Sequence, residues 1–361
     1  MSRTRILGPR LLQPPTQPST TGGTSSACNQ ACLDYIFTDQ VATCVVNPRA
    51  GRETEFSLTQ ALPPKRIAVV GAGAAGLSFS ITAASRGHKV SIFEAAAHIG
   101  GQLELARRIP GKEEFSELLR YYKSEIDRLQ ISIHLSTTFN EDVFVNDQFD
   151  LLVIATGVTP RVPTIPGISH SKVSLYPEAL SGNITIGKNI AIVGAGAIAF
   201  DVAEFLTTSD ASPISVSDFH KKWGVNLNGD SPGALVNAAP TETDKTLHIL
   251  YRSTSKPAAT LGISTGWIIR SSLKQQRVSI SPGCSYQKID DQGLHYTIDG
   301  QDKVLLVDNV IICAGQEPSN DLADFCSAKG ILFYLIGGAK NAKNLDARRA
   351  ISEGYSLGLT C

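Results

Sequence analysis

Three glycines in the spacing G-x-G-x-x-G, namely Gly71, Gly73 and Gly76, are the residues whose pattern most directly indicates chemistry. The first glycine permits a tight turn, the second lets a pyrophosphate approach the backbone, and the third lets a helix pack closely on a strand. A helix beginning at Ala74 would point its N-terminal N–H groups at the phosphates. Glu94, about 20 residues further on, offers a carboxylate to a ribose 2′-hydroxyl. The pattern therefore predicts a dinucleotide site.

Two short apolar runs and a helix between them are expected to position these residues. Ile67–Val70 is entirely apolar, as in a parallel strand that is buried on both faces. The segment from Ala74 to Arg86 is predicted to be helical, and Val90–Phe93 is a second strand that ends directly before the acid. A glycine-rich turn with a purely structural role is the alternative. The succession of strand, turn, helix, strand and acid favours nucleotide binding.

The glycine pattern occurs a second time, in the segment Asn189–Asp201. Gly194 and Gly196 repeat the first two glycines, and Ala199 stands at the third position, where the fingerprint accepts alanine. This internal duplication predicts two dinucleotide-binding folds. The expected fold class is therefore α/β, with two nested Rossmann-like, three-layer domains.

The second fold differs from the first where its second strand ends. An insertion rich in Ser, Asn, Asp and Pro, residues 207–245, precedes the predicted strand Leu247–Tyr251. Arg252 follows this strand in place of an acid, and Ser253 and Lys256 come shortly after it. A guanidinium, a hydroxyl and an ammonium bind a 2′-phosphate, which a carboxylate would repel, so NADP(H) is expected rather than NAD(H). The alternative is a pair of solvated loop cations.

Three cysteines near the start of the chain, Cys28, Cys32 and Cys44, are candidate metal ligands. Two close thiols and a more distant one are the arrangement by which a loop encloses an iron–sulfur cluster. Four cysteines are usual, but the position three residues before Cys28 is Ser25. Three ordinary thiols are the alternative. No C-x-x-C pair occurs in either nucleotide fold, so a redox disulfide is not expected.

Composition argues against several classes of function. The 361 residues have a formal net charge of +0 and 18% charged residues, which argues against binding to nucleic acid or to an acidic membrane surface. No apolar run is long enough to span a bilayer. The seven cysteines lack the spacing of a secreted disulfide-bonded domain and favour a reducing compartment, so we expect a cytoplasmic protein.

Residues 1–27 are rich in Pro, Ser, Thr and Gly and are predicted to be a disordered tail. They contain arginines and no acid, as transit peptides do, so a mitochondrial location is the alternative. The other predicted boundaries place a cysteine-rich loop and linker at 28–64, the first dinucleotide-binding domain at 65–187 and 305–361, and an inserted second dinucleotide-binding domain at 188–304.

Further elements complete this organisation. Predicted strands at Asp150–Ala155 and Asn309–Ala314 end in Gly157 and Gly315 and close the two folds in the same way. An amphipathic helix is expected over Glu113–Leu129 and a last helix from Asp346. Alternating apolar residues predict an antiparallel meander of three strands: Val278–Ile280, Tyr286–Ile289 and Leu294–Ile298.

Several segments resemble one family in particular. The sequences CNQACLD, CVVNPRA, PGKEEF, VDNVIICAGQEP and LDARRAI are similar to the C-terminal half of NADPH-dependent 2,4-dienoyl-CoA reductases. Those enzymes act in the β-oxidation of unsaturated fatty acids and belong to the NADH:flavin oxidoreductases, together with trimethylamine dehydrogenase. The resemblance covers about residues 28–361. It implies that FAD binds to the first fold and NADPH to the second.

The resemblance implies a set of cofactor contacts. The paired glycines Gly100 and Gly101, just past the acid, also allow a loop to fold back over the dinucleotide. The FAD contacts implied are Gly71, Gly73, Ala74, Ala75, Gly76, Glu94, Gly101, Gln102, Lys112, Phe139 (near the adenine), Gly157, Gly338, Asp346, Ala347 and Arg348. The NADPH contacts implied are Gly194, Gly196, Arg252, Ser253, Lys256 and Trp267, and Ala199 and Gly315 are further candidates for cofactor binding.

In that family an N-terminal barrel holds FMN and the substrate, and a [4Fe–4S] cluster connects the barrel to the FAD half. The family motif places a fourth cysteine at Ser25, so a three-iron cluster, a serine-ligated cluster and an empty loop all remain open. Residues 1–27 cannot replace the barrel, so we expect the FMN site to be absent from this chain or supplied by a partner. Because the cofactors carry hydride chemistry themselves, no catalytic residue is predicted. A non-catalytic, nucleotide-binding remnant is the rival hypothesis.

Overall fold

The computed structural model describes residues 25–140, 143, 148–208, 215–239, 243–258 and 261–361. The predicted tail lies almost wholly outside these residues. Two units are distinguished along the chain. The first comprises Met1–Thr159, Gly262–Ser264 and Gln316–Cys361, and the second comprises Pro160–Leu261 and Thr265–Gly315.

Fifteen strands and ten α-helices occur in the described part of the chain. The strands are β1 Arg66–Val70, β2 Lys89–Phe93, β3 Ser132–His134, β4 Leu151–Ile154, β5 Val158–Pro160, β6 Val173–Leu175, β7 Asn189–Val193, β8 Thr246–Leu250, β9 Ser279–Ser281, β10 Ser285–Asp290, β11 Gly293–Ile298, β12 Gln301–Leu306, β13 Asn309–Ile312, β14 Gln316–Pro318 and β15 Phe333–Leu335. The helices are α1 Leu33–Ile36, α2 Ala74–Ser85, α3 Gln102–Ala106, α4 Phe115–Arg128, α5 Tyr176–Ser181, α6 Ala197–Thr207, α7 Val216–Trp223, α8 Gly266–Gln275, α9 Leu322–Lys329 and α10 Ala347–Thr360. Short 3-10 turns lie at Pro232–Ala234 and Gly337–Ala339.

The first unit is built on a five-stranded parallel sheet in the order β15-β4-β1-β2-β3. Both faces of the sheet are covered, which explains the uninterrupted apolar sequence of β1. Ile67 and Val69 pack on one face against α2, α4 and α10, whereas Ala68 and Val70 pack on the other face. The alternation places successive residues of one strand in two separate cores.

Helix α10 packs against α2 through positions that have no side chain. A Cβ atom on Gly354 would lie 2.2 Å from the carbonyl oxygen of Ala75, and one on Gly358 would lie 2.7 Å from Cβ of Thr82. The hydroxyl of Ser78 donates a hydrogen bond of 2.8 Å to the carbonyl of Ile351 across the same contact. The last helix of the chain is therefore an integral part of the first unit.

The second unit repeats this plan. Its parallel sheet has the order β6-β13-β7-β8-β9, so the glycine strand β7 lies between the closing strand β13 and the second strand β8, as β1 lies between β4 and β2. The fold class predicted from the duplication, two Rossmann-like α/β domains, is confirmed. The second unit begins at Pro160 and ends at Gly315, whereas 188 and 304 were predicted, because β6 and β13 both belong to its sheet.

The predicted meander is partly wrong. The segment at Val278–Ile280 forms β9, which pairs in parallel with β8, because a strand that returns to the sheet through helix α8 is a parallel crossover strand. The antiparallel sheet instead consists of β10, β11 and β12, and β12 was not predicted. In the described residues, no helix is long and apolar enough to cross a membrane.

Candidate functional site

Two glycines of the first turn are required by the backbone itself. Gly71 has φ +106°, and a Cβ atom there would lie 2.4 Å from the carbonyl oxygen of Ala155. A Cβ atom on Gly76 would lie 2.0 Å from the carbonyl oxygen of Gly71. The backbone of the turn between β1 and α2 thus lies too close to the end of β4 to leave room for a side chain at Gly71, and the start of α2 lies too close to the turn to leave room for one at Gly76. Gly71 and Gly76 therefore have a structural role, as the sequence pattern predicts.

Gly73 is different, because space rather than protein lies beside it. Its φ of −80° and ψ of −176° are ordinary extended values, and no heavy atom lies within 4 Å of an added Cβ. Gly73 is the N-cap of α2, and no side chain caps the helix there. Ala74 and Ala75 form the first turn of that helix, so their backbone N–H groups are available to a phosphate. The open cradle fits the pyrophosphate of a dinucleotide.

The carboxylate of Glu94 is fixed at the edge of this turn. Its Oε2 accepts a hydrogen bond of 2.7 Å from the backbone N–H of Ala72, and its Oε1 accepts one of 2.8 Å from that of Ala96. Each oxygen keeps a second lone pair for a ribose hydroxyl. Both oxygens of the predicted acid are therefore held by backbone N–H groups beside the glycine turn.

The paired glycines after the acid return to the turn. The N–H of Gly100 donates to the carbonyl of Ala72 at 2.8 Å, and a Cβ on Gly101 would lie 3.2 Å from Cα of Gly73. Gln102 begins α3 directly afterwards. The loop thus folds back beside the open position of the glycine turn.

Two further predicted positions come together at the carboxyl end of β4. A Cβ atom on Gly338 would lie 2.8 Å from the carbonyl carbon of Gly157, and one on Gly337 would lie 2.8 Å from Cβ of Ala75. The 3-10 turn after β15 therefore lies against both the end of β4 and the first turn of α2. Ligands of open α/β sheets bind at this edge, outside the carboxyl ends of the strands.

The start of α10 contacts the cysteine segment. Asp346 caps the helix, its Oδ1 accepting from the N–H of Arg349 at 2.8 Å, and Ala347 is the first helical residue. The guanidinium of Arg348 lies 5.2 Å from the ring centroid of Tyr35 and donates to the Tyr35 hydroxyl. The predicted flavin-site helix and the segment that carries the cysteines are thus in direct contact within the first unit.

Two predicted FAD contacts are placed less favourably. Phe139 is only 5% exposed and packs edge-on against Phe93, with 5.2 Å between ring centroids. We therefore assign Phe139 to the core, and the predicted adenine contact is not supported. Lys112 is partly buried in the turn before α4, where its N–H donates to the carbonyl of Ile109 at 2.9 Å.

The second glycine turn repeats the geometry of the first. Gly194 has φ +119°, and a Cβ there would lie 2.2 Å from the carbonyl oxygen of Cys313. Gly196 has φ −77° and ψ 179°, caps α6, and has no heavy atom within 4 Å of an added Cβ. Ala199 is fully buried at the third position. The second turn therefore also has one tight and one open glycine. Gly315, with φ +109°, lies between β13 and β14.

Strand register identifies a residue that sequence reasoning missed. Val70 pairs with Phe93 in the first sheet, and Val193 pairs with Leu250 in the second, so the counterpart of Glu94 is Tyr251. The Tyr251 hydroxyl donates a hydrogen bond of 3.1 Å to the carbonyl of Ser255. Exact strand pairing is needed to see this correspondence, because the spacing alone pointed to the next residue.

The predicted cations of the second unit are accessible. Arg252 and Lys256 are exposed, and the hydroxyl of Ser253 accepts from the N–H of Ser255 at 3.0 Å. Trp267 is 57% exposed in the first turn of α8. The segment after β8 thus presents positive charge and lacks the carboxylate that the first unit has.

The three cysteines do not form a metal site as placed. Burial raises the pKa of Cys28 and of Cys44, and the charges of Cys28 and Cys32 raise the pKa of Cys44 further, so the three thiols are close enough to interact. Among the described residues, however, no three His, Cys, Asp or Glu side chains are grouped to hold an ion. Ser25 accepts a local hydrogen bond of 3.2 Å from the N–H of Ala27. The described residues therefore do not show an assembled iron–sulfur site at these cysteines.

Comparisons with known proteins agree with this architecture. A family model described as Pyridine nucleotide-disulphide oxidoreductase matches residues 65–334. A metal reductase of Desulforamulus reducens is 33% identical in an alignment of 344 positions that covers 91% of this chain and 49% of that protein. An NADH oxidase of Thermoanaerobacter brockii is 26% identical in an alignment of 341 positions that covers 92% of this chain and 46% of that protein. The chain thus spans about half the length of these relatives.

Solved structures are similar to this chain as well. A 2-naphthoyl-CoA reductase in complex with 2-naphthoyl-CoA superposes with a TM-score of 0.78 and 27% identity, covering 93% of this chain and 46% of that one. Thioredoxin reductase of T. acidophilum, with a TM-score of 0.56 and 17% identity, covers 82% of this chain and 98% of its own and shares the fold.

Proposed function

Because the chain belongs to the pyridine nucleotide-disulphide oxidoreductase family, we propose that it binds FAD at the first glycine turn and NADPH at the second. The observation that carries this proposal is the open space beside Gly73 and Gly196, each at the start of a helix that no side chain caps. FAD, when bound, accepts a hydride from a reduced nicotinamide without a protein acid or base. The chain's own residues bind and orient the two nucleotides.

The preference for NADPH is supported by charge. In the first unit, the carboxylate of Glu94 receives two backbone hydrogen bonds at the position where a ribose is expected. In the second unit that position holds Tyr251, which carries no charge, and the exposed cation Arg252 follows it. A 2′-phosphate is thereby attracted rather than repelled.

The proposal is tested with the full chain loaded with FAD and titrated with NADPH under anaerobic conditions. We expect a yellow protein whose flavin absorbance is bleached by NADPH. A protein that stays colourless after addition of FAD would defeat the proposal and favour the rival hypothesis, a nucleotide-binding remnant.

Replacing Arg252 by alanine tests the nucleotide preference. The loss of charge-assisted hydrogen bonding is expected to cost about 1–3 kcal/mol, which corresponds to about a 5- to 150-fold higher KM for NADPH. The KM for NADH should stay unchanged, because NADH has no 2′-phosphate. Steady-state kinetics with an artificial electron acceptor measure both values. An equal loss with both nucleotides would show that Arg252 does not contact the 2′-phosphate.

The acceptor beyond the flavin is a separate question. The resemblance suggests an FMN barrel that acts on a dienoyl-CoA, and we propose that such a barrel is the physiological partner. Support comes from the length of the relatives and from an apolar surface beside the cysteines, where Ile36, Phe37 and Val41 are 68%, 61% and 61% exposed. Because no grouped donors for a metal ion are found among the described residues, no electron step is assigned to the three thiols. Iron and acid-labile sulfide per chain, measured on the anaerobically purified protein, would reveal a cluster at these cysteines.

A further inference from the structure

A cavity in the second unit carries an unusual concentration of positive charge. Its volume is about 390 Å³, and its lining includes Arg270, Lys274 and Arg277 above an apolar floor of Phe200, Pro257 and Ile280. The three cations stand at positions i, i+4 and i+7 along and just beyond α8, so they share one face of the helix. Since the whole chain has no net charge, this is a local feature.

No carboxylate neutralises these cations in the part of the chain that the structure describes. Several other lysines of the unit do have acidic partners, as Lys222 has in Glu204 at 3.6 Å and Lys288 has in Asp290 at 2.8 Å. Like charges placed together without a counter-ion repel one another, which an anion bound among them would relieve.

Hydrogen bonds place the cavity beside the second glycine turn. The Nη2 of Arg270 donates to the carbonyl of Ala258 at 3.3 Å, and the N–H of Ala258 donates to the carbonyl of Ala195 at 2.7 Å. Ala195 lies between Gly194 and Gly196 in the turn. Arg270 thus connects the lining of the cavity, through Ala258, with the second glycine turn.

Arg277 occupies a backbone position at which glycine is the usual residue. It has φ +58° just after the end of α8, where its N–H donates to the carbonyl of Lys274 and the N–H of Val278 donates to that of Leu273. Glycine is preferred at such a helix end because it adopts a positive φ without strain. Removing the Arg277 side chain should therefore leave the helix end intact.

We propose that Arg270, Lys274 and Arg277 form a binding site for a phosphate monoester. A monoester near neutral pH carries close to two negative charges, which several cations balance, and guanidinium groups match phosphate oxygens with paired hydrogen bonds. The apolar floor suits the organic group to which the phosphate is attached. The phosphate could be the 2′-phosphate of NADPH, an assignment that rests on the proposed function, or belong to a separate phosphorylated molecule.

The test is calorimetric titration of the full chain with inorganic phosphate, NADPH and NADH at low ionic strength. Arg277→Gly and Lys274→Gln are compared with the wild type, and Lys303→Gln, an exposed strand residue outside the cavity, is the matched control. We expect phosphate affinity to fall at least tenfold in the two cavity variants and to stay unchanged in the control. Thermal unfolding of Arg277→Gly should occur at or above the wild-type temperature.

The two other titrations identify the source of the phosphate. A tenfold loss for NADPH with unchanged NADH would identify the 2′-phosphate, and unchanged binding of both would identify a separate phosphorylated ligand; either result supports the site. Phosphate that does not bind the wild type, or that binds all four proteins equally, would overturn it. A chain that binds phosphate in the cavity but is not bleached by NADPH would contradict the proposed function and leave this site standing.

Discussion

Replacing Gly73 by alanine is expected to give a folded protein that retains less flavin than the wild type does. The φ of −80° and ψ of −176° suit alanine, and the added methyl group meets no heavy atom within 4 Å, so the fold should tolerate it. The same methyl group would occupy the space through which a pyrophosphate reaches the backbone. Overpacking of this kind costs about 1–3 kcal/mol, or about 5- to 150-fold in FAD affinity. The ratio of flavin to protein absorbance after gel filtration measures the loss.

Gly71→Ala is the contrasting variant at the same turn. Its φ of +106° and the 2.4 Å approach of an added Cβ to the carbonyl of Ala155 should destabilise the whole first unit. We expect a lower unfolding temperature for Gly71→Ala and an unchanged one for Gly73→Ala. If Gly73→Ala bound FAD as the wild type does, the first turn could not be the flavin site.

Replacing Gly196 by alanine is expected to separate the two nucleotide sites. The φ of −77° and ψ of 179° again suit alanine, and the space beside the residue is open. The protein should stay yellow, because the first unit is untouched, but NADPH should bleach it at a rate reduced by about tenfold to a hundredfold. Stopped-flow absorbance under anaerobic conditions measures this rate.

Dithionite provides the control for this variant, since it reduces flavin without binding the second unit. Full bleaching by dithionite together with slow bleaching by NADPH is the expected combination. Rapid bleaching of Gly196→Ala by NADPH would mean that the reductant binds elsewhere.

The sequence predicted the parts of the fold whose signals are local. The strands Arg66–Val70 and Asn189–Val193 are short apolar runs directly followed by glycines, and both were recognised because neighbouring residues carry the whole pattern. The strand Ser279–Ser281 was assigned to the wrong sheet, because three residues do not reveal which partner they pair with. The boundary at Pro160 was missed for the same reason, since β6 joins its sheet through residues more than a hundred positions away.

The residues of the candidate site also divide into those that local sequence spacing predicts and those that only the tertiary structure reveals. Glycine positions and Glu94 follow from spacing, whereas the place of Tyr251 depends on register and the burial of Phe139 depends on packing against Phe93. The cations of α8 carry no motif, and they become a group only when the helix places them on one face. Sequence spacing therefore predicts residues that lie close together along the chain. Residues that come together from distant positions are found only from the tertiary contacts.

The helix Ala347–Thr360 packs on the helix Ala74–Ser85 through Gly354 and Gly358. This contact affects which of the two units can complete its fold first during synthesis on the ribosome. All residues of the second unit precede position 316, so that unit can fold while synthesis continues. The first unit still lacks the strand Phe333–Leu335 and its covering helix at that stage, for a time on the order of seconds. The unit that begins first along the chain is thus completed last, and stable capture of flavin should await synthesis of the helix Ala347–Thr360.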